Sequence, residues 1–265
     1  MQTQLLSRDM PHPVPIGSLE IVGAAAKACD LFFARTERAG TPTDQDRRSF
    51  ANGFLGITSI ESQRGISLRP ASPGNLQMIV AGWVYRAHIL PNGARQITDI
   101  LLPGDFLPQA EAGLDTGEQE VCTCGPVQLA VLRREVVTGS AFPSLRRHWE
   151  LLGEAQAHRL RARLVSLGRR DARERILQFL AEQHQRLCQV GLADSHSFSW
   201  PFTQEQLADM LGLTSVHVNR VLQRLRGDGL LWCRNGQVVI PVPARLHTLA
   251  GNFGRLAKER AERSL

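Results

Sequence analysis

Residues 201–231 have the sequence PFTQEQLADMLGLTSVHVNRVLQRLRGDGLL, which carries the strongest structural signals of the C-terminal part of the chain. Thr203 is followed three residues later by Gln206, which is the pattern of a capping box at a helix start. We therefore predict a helix over Gln204–Leu211, and Gly212 after it permits a tight turn.

A second helix is predicted over Ser215–Gly227, with Thr214 as its cap. Its apolar residues recur at helical spacing, so the remaining positions at its start face solvent. These exposed positions are Ser215, Val216, His217, Asn219 and Arg220. Two helices joined by a glycine turn are typical of a helix–turn–helix, which presents the start of its second helix to base edges in the major groove.

Two short apolar runs, Leu230–Arg234 and Gln237–Val242, follow this helix and flank Asn235-Gly236. An Asn-Gly pair between apolar runs is a strong signal for a two-residue hairpin. A strand pair directly after the second helix is a wing. The sequence therefore predicts a winged helix–turn–helix.

In the N-terminal half, short apolar runs broken by turns predict antiparallel strands between about residues 66 and 137. The clearest pair is Met78–Leu90 and Arg95–Leu102, which flank the turn Pro91-Asn92-Gly93-Ala94. Closely spaced short strands favour a small antiparallel barrel or roll. The other predicted elements are a turn at Pro103-Gly104-Asp105, a strand at Val127–Leu132, helices at Val22–Phe33 and Arg47–Thr58, and a loose extension over 1–20.

A long helix is predicted over Ser144–Leu167, ended by Gly168. Large and small apolar residues share one face of it, namely Trp149, Leu152, Gly153, Ala157, Leu160, Leu164 and Leu167. A helix of this length between two domains is suited to a dimer seam, although packing on its own domain would give the same pattern. Asp171 caps the next predicted helix, Ala172–Leu187, and a polar loop, Gly191–Ser199, follows.

The positive charge of the chain lies in its C-terminal part. Residues 1–140 hold 12 basic and 14 acidic side chains, whereas residues 141–265 hold 19 basic and 11 acidic ones. A basic half behind a nearly neutral half indicates a polyanionic partner. An arginine-rich genome composition is the alternative explanation of the same excess.

Three stretches resemble the Crp/Fnr family of transcription regulators: residues 201–231, HILPNGARQITDILLPGDFLP (88–108) and SLGRRDARERILQFL (166–180). The resemblance implies an α+β fold with an N-terminal antiparallel β-roll like that of cyclic-nucleotide-binding domains, a long dimerisation helix and a C-terminal winged helix–turn–helix. It also implies a homodimer that binds near-palindromic double-stranded DNA and regulates transcription through RNA polymerase. The corresponding segments are an extension over 1–20, the sensor roll over 21–143, the dimerisation helix over 144–168 and the DNA-binding domain over 169–265.

The same resemblance assigns DNA contacts residue by residue. The base-reading positions fall on Ser215, Val216, Asn219 and Arg220, and the phosphate-binding positions fall on Thr203, Gln204, Thr214 and His217. Arg220 matches the guanine reader of the family. Val216 stands where the family usually has glutamate, and valine can contact a thymine methyl but cannot accept from a cytosine amine, so we expect an altered half-site. Simple solvent exposure is the alternative for Ser215 and His217.

A cyclic nucleotide is not expected as the effector. Residues 104–132 contain no arginine or lysine to bind its phosphate, and they carry five acids, Asp105, Glu111, Asp115, Glu118 and Glu120. An iron–sulfur cluster is not expected either, because Cys29 stands alone where iron–sulfur members of the family have a cysteine cluster. Haem bound through His88 and the absence of any effector both stay open as alternatives.

Four cysteines give a redox alternative. Cys122 and Cys124 are the one close pair and share a face if they lie on a strand, at the edge of disulfide reach. Cys188 and Cys233 fall in the DNA-binding half, and oxidation of Cys233 in the predicted wing would weaken binding. Small half-buried residues without a redox role would give the same pattern.

Several classes of protein are excluded by what the sequence lacks. No Ser/His/Asp spacing, metal signature or phosphate loop is present, so we predict neither an enzyme nor a metal site. The start of the chain does not look like a signal peptide, and no apolar stretch is long enough to span a bilayer. Together with five scattered cysteines, these features predict a cytoplasmic protein. A winged module that binds protein instead of DNA is the remaining rival.

Overall fold

The computed structural model describes residues 18–61, 65–66, 74–108 and 119–250. Helices and strands are mixed, and the predicted α+β class is confirmed. The helices are α1 (Ser18–Arg35), α2 (Asp44–Gly53), α3 (Arg134–Thr138), α4 (Pro143–Arg169), α5 (Ala172–Gln189), α6 (Gln204–Leu211), α7 (Ser215–Gly227) and α8 (Pro243–Leu249). The strands are β1 (Phe54–Ile60), β2 (Asn75–Ala81), β3 (Val84–Ile89), β4 (Arg95–Leu101), β5 (Gln119–Thr123), β6 (Val127–Arg133), β7 (Ser197–Ser199), β8 (Trp232–Arg234) and β9 (Gln237–Val239).

Two antiparallel three-stranded sheets form the N-terminal roll, in the orders β1-β6-β2 and β4-β3-β5. The predicted hairpin is confirmed, since β3 pairs with β4 and Ile89 lies opposite Arg95. Gly93 in its turn has a φ of +81°, a conformation that glycine adopts without strain. The apolar faces of the sheets, with α1, α2 and the start of α4, enclose the core of the roll.

Two predicted elements of this half are wrong in their extent. The single strand predicted over Met78–Leu90 is divided between two sheets, because Gly82 turns the chain with a φ of +90° where a side chain would clash with the Pro126 carbonyl. The helix predicted over Arg47–Thr58 ends at Gly53. The residues after it pair with β6 in the first sheet, with Ile57 opposite Ala130. Tertiary pairing thus overrides the local helical pattern.

The long helix α4 extends beyond its predicted end, because Gly168 continues the helix to Arg169 and does not break it. The predicted apolar face is covered unevenly along the helix. Trp149 and Leu152 pack against the core of the same chain, whereas the Leu164 side chain is 70% exposed. Gly153 and Leu164 are exposed, and Ala157 and Leu160 are half-buried; these four residues recur along α4 at helical spacing and are called the α4 stripe below.

The C-terminal part begins with α5, which Asp171 and Glu174 start with the predicted capping. The predicted polar loop Gly191–Ser199 contains a strand, β7, which pairs with β9 and adds a third strand to the wing. The wing strands β8 and β9 are shorter than predicted. One apolar cluster joins this domain to the second sheet of the roll, since Tyr85 and Ile97 belong to the same buried group as Phe202 and Met210.

Parts of three expectations lie outside the described residues: most of the predicted extension 1–20, the acids Glu111, Asp115 and Glu118, and the end of the chain after residue 250. Residues 18–20 of the predicted extension form the first turn of α1. No helix in the described part of the chain combines the length and the apolar character that a membrane span requires.

Candidate nucleic-acid interface

The first helix of the helix–turn–helix has the predicted bounds and the predicted cap. The Thr203 hydroxyl accepts from the Gln206 amide at 3.1 Å, and the Gln206 side-chain oxygen accepts from the Thr203 amide at 2.9 Å. Leu207, Met210 and Leu211 are buried and orient α6 against the rest of the domain. The reciprocal bonds satisfy two donors that a helix start otherwise leaves free.

The turn to the second helix depends on Gly212, which has a φ of +61° and ends α6 in the left-handed conformation. The Leu213 amide then donates to the Ala208 carbonyl at 3.1 Å. Thr214 caps α7 by accepting from the His217 amide at 3.2 Å. The inward side of α7 is apolar and buried, through Val218, Val221, Leu222 and Leu225.

The four predicted base-reading residues lie together at the exposed start of α7. Ser215, Asn219 and Arg220 are exposed, and Val216 is 68% exposed although it is apolar. Within the described part of the chain, the Arg220 guanidinium has no hydrogen-bond or ion-pair partner. Its five donors are therefore available to a ligand from outside.

The four predicted phosphate-binding residues lie at the starts of the two helices. Thr203 and Gln204 begin α6, and Thr214 and His217 begin α7; all four are exposed. Each threonine oxygen accepts a capping bond, which leaves its hydroxyl hydrogen able to donate to a phosphate. Helix N-termini also favour anions through their free amides.

The wing turn presents polar residues to solvent. Asn235 and Gly236 have φ values of +51° and +70°, as a two-residue hairpin requires at both positions. The side chains of Arg234 and Gln237 beside the turn are exposed. The sequence predicted this hairpin but assigned no DNA contact to it.

Arg175 is a structural residue of this unit that sequence reasoning missed. Its guanidinium donates to the carbonyls of Leu167, Arg170 and Leu211 at 2.8, 2.9 and 3.1 Å. It thereby joins the end of α4 and the end of α6 to α5. No local pattern signals the link to α6, because Leu211 lies 36 residues further along the chain.

The acidic character predicted for residues 104–132 needs correction at Asp105. This carboxylate is buried between Arg35 and Arg186, at 3.0 and 2.6 Å. Burial alone would raise its pKa, but the two guanidiniums outweigh burial and hold the pKa of Asp105 well below its usual range. Its charge is neutralised within the protein, so it would not repel a phosphate.

The cysteines and His88 do not form a cluster in the described residues. Cys122 lies in β5 and Cys124 follows directly after its end, so the predicted pair does not lie on one strand; both thiols are free. Burial raises the pKa of Cys124 to about 11 and also raises that of Cys122. Desolvation likewise raises the pKa of the more exposed Cys188 and of Cys233. In the described ranges, no three His, Cys, Asp or Glu side chains are arranged to hold a metal ion.

Comparison with known proteins agrees with this geometry. The family model of the Crp-like helix-turn-helix domain matches residues 174–249. The nitrogen fixation regulation protein FixK of Bradyrhizobium diazoefficiens is 31% identical over 178 residues, which cover 65% of this chain and 72% of FixK. The chain belongs to the Crp/Fnr family.

Two further comparisons support the assignment of this Crp/Fnr member. The transcriptional activator protein FnrL of Cereibacter sphaeroides is 29% identical over 193 residues, covering 70% of this chain and 73% of FnrL. The solved structure of FixK2 from Bradyrhizobium japonicum superposes with a TM-score of 0.59 at 25% identity, covering 74% of this chain and 96% of FixK2. The predicted family is confirmed, and this Crp/Fnr member is a DNA-binding regulator of transcription.

Proposed function

We propose that this Crp/Fnr regulator acts in the cytoplasm as a homodimer on a near-palindromic DNA site, with the start of α7 in the major groove of each half-site. The observation that carries the proposal is the exposed end of α7, where the unpaired Arg220 guanidinium stands beside Asn219 and Val216. Arg220 can bind guanine O6 and N7 in a bidentate manner, and Asn219 can bind adenine. The four residues at the two helix starts would bind phosphates and fix the register.

The dimer contact would lie along α4. The α4 stripe consists of small residues and leucines that are exposed or half-buried in the single chain, and Val165 next to it is 49% exposed. Burying this stripe against a second copy would remove apolar surface from water. The family resemblance also makes RNA polymerase the expected partner on DNA.

We further propose that DNA binding requires no cyclic nucleotide, iron–sulfur cluster or haem. Residues 104–132 have no basic side chain of their own to bind a cyclic phosphate, and the guanidiniums of Arg35 and Arg186 that reach this segment are already paired with Asp105. Cys29 lies buried in the roll, and burial raises its pKa to about 11. The raised pKa values of the other cysteines also disfavour a thiolate redox switch, because the thiolate is the reactive form.

The test begins with the intact protein and a site selected from a pool of random palindromes, without added nucleotide. We expect Arg220→Ala to lose discrimination at one base pair per half-site, worth about 1–3 kcal/mol. Fluorescence anisotropy against sites changed at each position measures this loss. Arg224→Ala is the matched control, because it removes the same exposed charge four residues further along α7 and should leave the base preference unchanged.

Two results would contradict the proposal. Unchanged base preference in Arg220→Ala would remove this residue from the readers. An affinity that hardly depends on salt would favour a protein-binding module, because phosphate contacts release counterions and give a steep salt dependence.

Val216 gives a prediction about sequence preference. Val216→Glu introduces an acceptor at an exposed position, so we expect the variant to gain preference for a cytosine at the base pair that Val216 faces. Selection from the same random pool measures the change. Val216→Ala, which adds no acceptor, should gain no cytosine preference; the hypothesis fails if both variants select the wild-type site.

A further inference from the structure

A contact between the roll and the helix–turn–helix holds α6 from outside its own domain. Arg95 at the start of β4 donates through Nε and Nη2 to one carboxylate oxygen of Asp209 on α6, at 2.8 and 2.7 Å. The adjacent Gln96 donates through Nε2 to the main-chain carbonyl of Asp209 at 2.6 Å. These three residues are called the β4–α6 contact.

The β4–α6 contact is more than a surface ion pair. The carbonyl of Asp209 lies in the last turn of α6, where carbonyls lack intrahelical partners, and Gln96 supplies its donor from another domain. The side chains of Arg95 and Asp209 are 29% and 21% exposed. Solvent therefore screens this pair less than it screens a fully exposed one.

Aromatic packing continues the same interface. Trp83, just before β3, contacts Trp200 and Phe202 with ring centroids 6.0 and 5.6 Å apart. Tyr85 on β3 lies 6.1 Å from Phe202. All these rings meet edge to face, a favourable geometry for aromatic pairs. The second sheet of the roll thus forms a platform for the chain that leads into α6.

Two attachments to the roll fix the orientation of the DNA-binding unit. The first attachment is at α5, where Arg186 binds Asp105 and donates to the Ile100 carbonyl at 3.0 Å. A body held there alone could still rotate about that point. The β4–α6 contact removes this freedom, and α7 follows because it packs on α6 after a short turn.

We propose that Arg95, Gln96 and Asp209 are positioning residues, which set the distance between the two α7 helices of the dimer and so the half-site spacing that the regulator accepts. The inference rests on the proposed homodimer. Successive major grooves on one side of B-DNA lie about 34 Å apart, so both α7 helices bind only when their separation matches that distance. If the β4–α6 contact fixes the orientation of α7, the dimer binds tightly only to sites with the matching half-site spacing.

The experiment measures affinity for selected half-sites at their preferred spacing and with one or two base pairs inserted or removed. For Asp209→Ala we expect affinity at the preferred spacing to fall roughly fivefold, and the penalty at other spacings to shrink. Base preference within each half-site should not change. The paired variant Arg95→Asp with Asp209→Arg should restore the sharp spacing preference by reversing the ion pair.

Asp228→Ala is the matched control. Its carboxylate pairs with Arg173 inside the DNA-binding domain at 3.2 Å and makes no contact with the roll, so the spacing preference should stay as in the wild type. The wild type could prefer one half-site spacing sharply while Asp209→Ala and Arg95→Ala both keep that preference. This result would overturn the positioning role and leave the proposed dimer unaffected. A wild-type protein indifferent to spacing would overturn the proposed dimer together with this role.

Discussion

Asp105 shows how one residue can join three parts of the molecule. Its Oδ2 accepts from Arg35 on α1, from Arg186 on α5 and from the amide of Leu102 in its own turn. Arg35 also donates to the carbonyl of Arg186 at 3.0 Å. Burial lowers the pKa of Arg35 to about 10 despite the nearby carboxylate, so the guanidinium stays charged at neutral pH.

Removal of the Asp105 charge should destabilise the folded protein. We expect Asp105→Asn to lower the free energy of unfolding by about 3–5 kcal/mol, because two buried guanidiniums lose their counter-charge. Urea denaturation at pH 7 measures the difference. Asp30→Asn breaks the exposed pair with Arg47 and should change stability by at most about 1 kcal/mol. Equal costs for the two variants would contradict the coupling role of Asp105.

The pH dependence of the same variant has a definite sign. The pKa of Asp105 in the folded protein lies below its unfolded value of about 3.9. The contribution of the ionised Asp105 to the free energy of unfolding is therefore complete above that value and decreases as the pH falls below it. The stabilities of wild type and Asp105→Asn should therefore approach one another in acid. A gap that stays constant from pH 7 to pH 3 would rule out an ionised Asp105 as the cause.

Local sequence could not predict these pairings. The pattern around Asp105 suggests one more acid in an acidic stretch, whereas its partners lie far away in the sequence, on α1 and α5. The same holds for Asp209, which is an ordinary polar residue of α6 by pattern and meets Arg95 only after the two domains pack. Pairing between distant residues is set by the fold.

At the level of elements, helices with local signals were predicted most accurately. The bounds of α6 and α7 agree with the sequence, because Thr203, Gly212 and Thr214 mark their ends with side-chain caps and a left-handed glycine. The β3–β4 hairpin was predicted for the same reason. In each case the chain within a few residues determines the structure.

The elements that were missed depend on partners elsewhere in the chain. The strand β7 has three residues and exists because it pairs with β9, which the sequence around Ser197 does not show. On α4, spacing alone put Trp149 and Leu164 on one face. Spacing does not show what covers that face: Trp149 packs edge to face on Phe106, with ring centroids 4.8 Å apart, whereas Leu164 is 70% exposed.

For the whole molecule, the α4 stripe predicts the oligomeric state. Leu164→Asp should shift the protein from dimer to monomer, since a charge would have to be buried opposite a second copy of α4. Size-exclusion chromatography with light scattering measures the mass. Val22→Asp on α1 is the matched control, with 67% exposure against 70% for Leu164, and should leave the mass unchanged. A wild-type monomer, or a Leu164→Asp dimer, would refute the α4 seam.

The order of strands in the first sheet has a consequence for synthesis of the chain. In the described residues, β1 and β2 pair with β6 and not with each other, although both precede it in the sequence. As the chain leaves the ribosome, β1 lacks its strand partner until residues 127–133 emerge, and β2 has until then only the bonds of its other edge to Gly104, Asp105 and Leu107 among the described residues. Unpaired strands with apolar faces are prone to aggregate and are natural clients of chaperones. A fragment ending before Val127 would therefore lack the strand that makes this half of the protein a folded unit.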